Sequence, residues 1–547
     1  MALAIYALAC YSEGGVSWAP DDKWFAFTTL APSTQEKAEF SMQVWKYDVG
    51  RKELELVDQD LAPTSRPAVS PDGKWILYLR QDETRKDKVR VFMYDVVEKT
   101  RRELGRVTAG GKEDASAAVM WGPAWSKDGK SFAVTTGEAG TAVVDIRDCK
   151  VTRTVANLIY ANWMPDGSGL VGVEPDKETK DAGWLVHEEL GTGKRTQLMR
   201  CTREDEAGKM WPMCVPMISA KGTYVADMEA PPAKGEEAAE GEKAQLVVMG
   251  LKDGKVIASF PGKNVPMGWT GDEKGLYLLA RDEVKKVWNV VRWDPAGGEG
   301  KGFEVPAPFG SAEGIWGTLS HDGKWAVLRM NEDEKKGDVL ALVNLETKEA
   351  RGITPTDASR KELAMMYGDA VMQLVEEKKV AEARKGLGEL ERFIAEEAPK
   401  METEEGKTAW EEMQFGLYFT VLDDAAKAMK ALGKEGDAVM RAKCLMRMGR
   451  YDDAKILIEQ AGGGDKEKEM AEMISEFMEM NGKMKPGEAD EVTLGAYVKT
   501  AGEVGATDKE MEAARVFLKR FPEGGPAKEI QGTVTEQEKW TVLRAGK

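Results

Sequence analysis

Ser70-Pro71-Asp72-Gly73-Lys74-Trp75-Ile76 decides the fold of this chain. Asp-Gly is a turn pair: the aspartate closes an Asx-turn, and glycine takes a positive φ without a Cβ clash. Ala68-Val69 stands before the turn and Trp75-Ile76-Leu77-Tyr78 after it. Two apolar runs around a glycine turn predict a hairpin. Degraded copies of the phrase place their second residue at positions 20, 71, 127, 165, 220, 271 and 321, spaced by 38 to 56 residues. A third strand follows in several copies, as in Val91-Phe92-Met93-Tyr94-Asp95-Val96 and Val339-Leu340-Ala341-Leu342-Val343. A fourth, more charged strand comes next, such as Arg101-Arg102-Glu103-Leu104. Four strands per unit at this spacing, the outermost most polar, predict propeller blades, and seven copies predict seven of them.

These copies resemble the TolB-type propeller repeat, with its W-S-P-D-G-K hairpin and D-L-x-T-G third strand. The resemblance covers residues 15–354. It implies a seven-bladed all-β domain and leaves function open, because one fold hosts many functions. The same repeat occurs in the propeller that caps prolyl-oligopeptidase-like peptidases. Two departures stand out. The stretch ahead of the first copy is too short for the α/β domain that precedes the propeller in TolB, and copies five and six have lost the Pro and part of the turn.

At 547 residues and 42% apolar, the chain has material for more than one core. No run of 18 apolar residues occurs, which excludes a membrane-spanning helix. A net charge of −17 disfavours nucleic acid and anionic lipid as partners, since both need a basic footprint.

Composition shifts near residue 355. Ala, Glu, Lys, Met and Leu at helical spacing replace turn pairs, so residues 355–547 read as an all-α domain. Ala438, Ala442, Leu445, Gly449, Tyr451, Ala454, Ile458 and Ala461 resemble the columns of a tetratricopeptide repeat. Gly436-Asp437-Ala438 echoes Gly368-Asp369-Ala370 at an offset of 68, twice the 34-residue period of that repeat. Ala513-Ala514 through Phe521-Pro522 resembles a second helix of such a pair. The resemblance implies a short helical-repeat array over 357–525; the same spacing also fits an ordinary helical bundle.

Residues 1–14 form a separate N-terminal segment. Ala7-Leu8-Ala9-Cys10 is similar to the end of a lipoprotein signal, with Cys10 as the lipidated residue, although Leu stands one place late and no Lys or Arg precedes the apolar run. A buried first strand holding a cysteine accounts for the same residues. Cys201 and Cys214 flank one inter-blade loop and are able to pair in an oxidising compartment. A TolB-like propeller with this N-terminus implies a periplasmic or envelope-anchored protein of a bacterium; the alternative is the cytoplasm.

Catalytic motifs are sparse. His187 and His321 are the two histidines; one falls on a third strand and the other replaces a Pro in a hairpin turn. No Gly-x-Ser-x-Gly elbow occurs, Gly191-Thr192-Gly193-Lys194 lacks the upstream glycine of a phosphate loop, and no C-x-x-C offers a zinc site. No catalytic residue, cofactor or metal ligand is therefore assigned. The loops at one rim of a propeller surround its central channel. Gly15, Arg66, Gly122, Tyr160, Val215, Pro266 and Trp316 are expected at that mouth. Arg66, Tyr160, Trp316 and Trp211, in the long loop before blade five, are the side-chain types that anchor protein interfaces. The expected function is a non-catalytic scaffold or adaptor that binds a protein or peptide. The rival is a propeller enzyme, a metal-dependent hydrolase or lactonase with acidic residues in the channel.

Overall fold

The computed structural model describes residues 15–32, 40–109, 116–136, 140–175, 183–201, 203–204, 210–211, 216–229, 245–260, 264–300, 302–312, 314–330, 339–433, 436–461 and 464–544. Cys10, Cys214 and the side chains of Cys201 and Trp211 lie outside these residues. The chain divides into two compact units, residues 1–363 and 364–547.

The first unit is a seven-bladed propeller, and each blade is built from consecutive strands. Blade one pairs Val16–Trp18, Trp24–Pro32, Phe40–Asp48 and Glu53–Asp60 in that order. Blade two pairs Ala68–Val69, Trp75–Gln81, Lys88–Asp95 and Thr100–Thr108. Blades three to five run the same way from Ala124–Trp125, Ile159–Trp163 and Met217–Ile218. Blade six begins at Asn264–Trp269, and its outer edge is broken into Gly298–Glu299 and Phe303–Glu304, both paired to the third strand. Blade seven pairs Ile315–Leu319, Trp325–Met330, Val339–Asn344 and Ala350–Ile353. Blade seven thus owns its fourth strand, and among the described residues neither blade one nor blade seven borrows a strand from the other. Cys201, at the end of blade four, pairs with Glu229 of blade five and joins those two sheets.

The hairpin turns behave as the sequence predicts. Gly73, Gly129, Gly167, Gly222 and Gly323 all have φ between 67° and 79°. Asp72 accepts from the Ser70 hydroxyl and from Lys74 N at 2.6 and 3.1 Å, and Asp128 and Asp322 repeat the arrangement. The turns also abut one another around the ring: a Cβ on Gly73 would sit 3.3 Å from Pro20 Cδ of the preceding blade. In blades one and six an acid, Asp22 or Glu273, holds the glycine position at φ 55° or 64°. Each carboxylate reaches the turn of the preceding blade. Glu273 accepts from the Ser219 hydroxyl, from Lys221 N at 2.6 Å and from the Thr223 hydroxyl at 2.7 Å. Asp22 accepts from His321 N and Nδ1 and from Asp322 N, all within 2.9 Å, and so ties blade one to blade seven.

Indoles knit the inner strands. Trp125, Trp163 and Trp269 each donate Nε1–H to a carbonyl of the preceding blade, on Ala68, Ala124 and Met217. Between blades seven and one the apolar seam holds Trp18, Phe25, Phe27 and Tyr47 with Val327, Leu340, Leu342 and Ile353. Arg329 donates to the Thr28 carbonyl and Arg351 to the Tyr47 hydroxyl across the same seam.

A short helix, α1 (Ser116–Trp121), precedes blade three. The other helices are α2 (Asp357–Glu376), α3 (Val380–Glu397), α4 (Glu404–Phe415), α5 (Ala425–Leu432), α6 (Ala438–Arg447), α7 (Tyr451–Ala461), α8 (Asp465–Lys483), α9 (Glu491–Glu503), α10 (Thr507–Arg520) and α11 (Ala527–Arg544). Asp424, Asp437 and Asp490 cap the N-termini of α5, α6 and α9 through their carboxylates. Ala442, Leu445, Ala454 and Ile458 are buried between α6 and its neighbours, and Gly449 leaves α6 at φ 72°, as expected. Gly505, at φ 82°, does the same between α9 and α10, where Ala513, Ala514 and Phe517 are buried.

The 34-residue period does not carry through. Gly368-Asp369-Ala370 lies inside α2, whereas Asp437 caps α6, so the echo between them is not a structural repeat. α11 also returns to α3, where Arg384 Nε donates to the Leu543 carbonyl at 3.1 Å, so the last helix closes on an early one instead of extending an open array.

Candidate functional site

The stacked hairpin turns place the 1–2 connections of successive blades at one end of the propeller. Because neighbouring strands are antiparallel, the segments that enter each blade lie at the opposite end. Arg66, Gly122 and Tyr160 stand at these entries, and there the structure brings Arg66 and Tyr160 together. Both line a small cavity of about 10 Å³, with Trp121, Gly122, Ala133, Thr135, Ala161 and Asn162.

Local backbone geometry builds the cavity. Ile159 pairs with Val173 and Asn162 with Val171, so Tyr160 and Ala161 form a bulge opposite the single residue Gly172. Tyr160 has φ 57°, in the left-handed region that an aromatic residue rarely adopts. Its amide donates to the Thr135 hydroxyl at 2.9 Å, which holds the bulge in place. A Cβ at position 172 would lie 2.8 Å from the Ile159 carbonyl oxygen, so only glycine permits the approach. Bulges re-aim side chains, and retained backbone strain marks sites of function.

The re-aimed Tyr160 ring packs on Trp121 with centroids 4.0 Å apart. Trp121 ends α1, and Gly122 follows it at φ 67°. That glycine leaves room for Arg66, whose Cγ would be 2.6 Å from a Cβ there. Arg66 Nε donates to the Trp121 carbonyl at 2.6 Å. Burial raises the pKa of the Tyr160 phenol, with the Trp121 indole N–H acting in the opposite direction. The buried Trp121 indole N–H interacts with the Tyr160 hydroxyl.

The other expected anchors fall elsewhere. Trp316 is half-buried on the inner strand of blade seven, paired with Arg329, and does not line the cavity. The backbone of Trp211 pairs with Arg203 in a small hairpin before blade five. Trp121, Thr135 and Asn162 were not singled out from sequence. The pointer to Trp121 was its place directly before Gly122.

Neither histidine lines the cavity. His187 sits on the third strand of blade four, where burial lowers its pKa, and His321 joins the tie to Asp22. No group of three or more His, Cys, Asp or Glu side chains is placed to hold a metal ion among the described residues.

No protein-family model and no curated protein matches the sequence. Solved structures similar to it include TolB from Acinetobacter baumannii, 14% identical over 52% of this chain and 64% of that one, with a TM-score of 0.35. The β-propeller domain of the Trilobed protease from Pyrococcus furiosus is 13% identical over 61% of this chain and 93% of that one, with a TM-score of 0.41. An oligogalacturonate lyase in complex with manganese is 14% identical over 59% of this chain and 83% of that one, at 0.39. The propeller assignment rests on the strand pairing itself, and none of these likenesses carries a function to this chain.

Proposed function

We propose that the protein is a non-catalytic binding module that takes a protein or peptide partner at the loop end of its propeller. The bulged, strained Tyr160 carries this reading: the fold accepts an unfavourable backbone to hold an aromatic residue beside Trp121 and Arg66 at the rim of a small cavity. An aromatic pair next to an arginine is the composition of interface hot spots. Trp316 and Trp211 are assigned to the propeller's binding surface as well, and the helical unit offers a second, separate one. With a partner in hand, Arg66→Ala and Tyr160→Ala should each weaken binding by about 1–3 kcal/mol in calorimetry while leaving the thermal transition in place. Unchanged affinity in both would move the site to the helical unit. Turnover of a lactone, ester or peptide that is lost on chelation would overturn the reading in favour of a metal-dependent propeller enzyme.

The setting we propose is a bacterial cell envelope, supported by the TolB-type repeat and by the Ala7-Leu8-Ala9-Cys10 sequence. Among the described residues no helix is long and apolar enough to cross a membrane, and the attachment we propose is a lipid at Cys10. Mass spectrometry of the native N-terminus should find a diacylated Cys10; an intact Met1 would contradict it.

A further inference from the structure

We infer that the outer strand of blade five, Val256–Phe260, is an interface between two copies of this chain, which pair there edge to edge. The inference does not depend on the cavity at Tyr160, since it concerns the outside of the ring.

An outer strand leaves one row of backbone N–H and C=O groups without a partner strand, and proteins guard such an edge with charges, prolines, breaks or a cover. Six of the seven blades do so. The outer strands Glu53–Asp60, Thr100–Thr108, Val151–Val155 and Arg195–Cys201 all carry charged residues. Blade six breaks its edge into two pieces of two residues, and the four-residue edge of blade seven contains Arg351. Val256-Ile257-Ala258-Ser259-Phe260 has five residues, none of them charged and none a proline. Among the described residues it pairs only with the third strand of its own blade, through Leu246, Val247, Val248 and Met249. Val256 and the bulged Ile257 are 49% and 40% exposed. Two adjacent β-branched side chains in solvent on an uncharged edge are a template for a further strand.

Charge decides which strand fits. Turned antiparallel on itself about Ala258, the strand sets Val256 against Phe260 and Ile257 against Ser259. The first is a β-branched–aromatic pair, a favourable cross-strand combination, and no like charges meet. The same rotation fails on the edges of blades one to three. It opposes Glu53 to Asp60 and Glu55 to Asp58, Arg102 to Arg106, and Arg153 to its own copy. In blade four the end of the edge is already taken, because Cys201 pairs with Glu229. Each copy therefore has one self-complementary edge among the described residues, and a two-fold axis through it closes the assembly at two copies. The net charge of −17 per chain repels the copies at long range, and salt screens that repulsion.

The test is sedimentation velocity on the full chain from about 1 to about 200 μM, the range in which an interface of only a few residue pairs associates reversibly. The expected result is a monomer–dimer equilibrium that stops at two copies and tightens as salt rises from about 0.05 to about 0.5 M. Ile257→Lys and Ile257→Glu change an exposed side chain and should leave the thermal transition in place. Each should raise the dimer dissociation constant about tenfold, because the symmetric contact carries the new charge twice. An equimolar mixture of the two variants should dimerise more tightly than either alone, since opposite charges then meet across the axis. A chain that stays monomeric over the whole range overturns the inference, and so does a dimer that neither substitution weakens. A mixture no tighter than its separate components also overturns it, because the strand would then meet some surface other than its own copy.

Discussion

Glu273 shows how one residue can be locally unfavourable and globally useful. Its backbone sits at φ 64°, where glycine would be relaxed, while its carboxylate holds the Ser219, Lys221 and Thr223 groups of blade five. Burial raises its pKa, but those hydrogen bonds outweigh it and hold the carboxyl below the usual range. The two effects have opposite signs on mutation. Relief of a left-handed backbone is worth about 1 kcal/mol or slightly more, whereas hydrogen bonds to a charged, buried acceptor are worth about 1.5–3 kcal/mol each. Glu273→Gly should therefore destabilise the propeller by about 3 kcal/mol or more in denaturant unfolding. A more stable variant would show that backbone strain dominates and the tie between blades is weak.

At the scale of the element, the inner strand of blade four deserves comparison with its own sequence. The Asp166-Gly167 turn was legible, and so was the entry column that holds Arg66, Gly122 and Tyr160. The bulge was not, because register depends on the partner strand as well as on local residues. Its trace was Gly172, a glycine inside an apolar run, which often marks a close backbone approach. Trp121 was hidden for another reason: α1 is a six-residue insertion that the repeat does not predict. The false echo between residues 368 and 436 failed because Gly-Asp-Ala fits both a helix interior and an N-cap, and three residues cannot tell them apart. At this scale the expected outcome is that Gly172→Ala pushes the bulge outward. It should lower partner affinity as much as Tyr160→Ala does, although residue 172 does not line the cavity. Affinity unchanged by Gly172→Ala, in a variant that remains folded by circular dichroism, would mean that the bulge does not position Tyr160.

At the scale of the whole molecule, the propeller was readable because one seven-residue phrase repeats seven times, and each copy carries its own turn chemistry. How the ring closes was partly readable, since Ala350–Ile353 supplies the fourth strand of blade seven. The reinforcement of that closure was not, because Asp22 and His321 are 299 residues apart. Burial pushes the Asp22 carboxyl up, and hydrogen bonds from the His321 side chain and from the His321 and Asp322 amides outweigh it, leaving the pKa below the ordinary value. A depressed folded-state pKa gives stability that is present above the unfolded value of about 3.9 and lost as the pH falls through the folded one. Asp22→Asn should thus be less stable than the native chain at neutral pH, and the gap should narrow below about pH 4. A gap that stays constant down to pH 2–3 would mean that the charge on Asp22 contributes nothing to closure.

The central claim is that the cavity at Arg66, Trp121 and Tyr160 is where a partner protein binds. It is tested most directly by affinity capture from the native source with the full native chain and the Tyr160→Ala variant side by side, each captured protein quantified by mass spectrometry. The account predicts a protein that the native chain retains and the folded variant loses about tenfold or more, the usual scale for an interface anchor. Identical sets of proteins in equal amounts on both would contradict it.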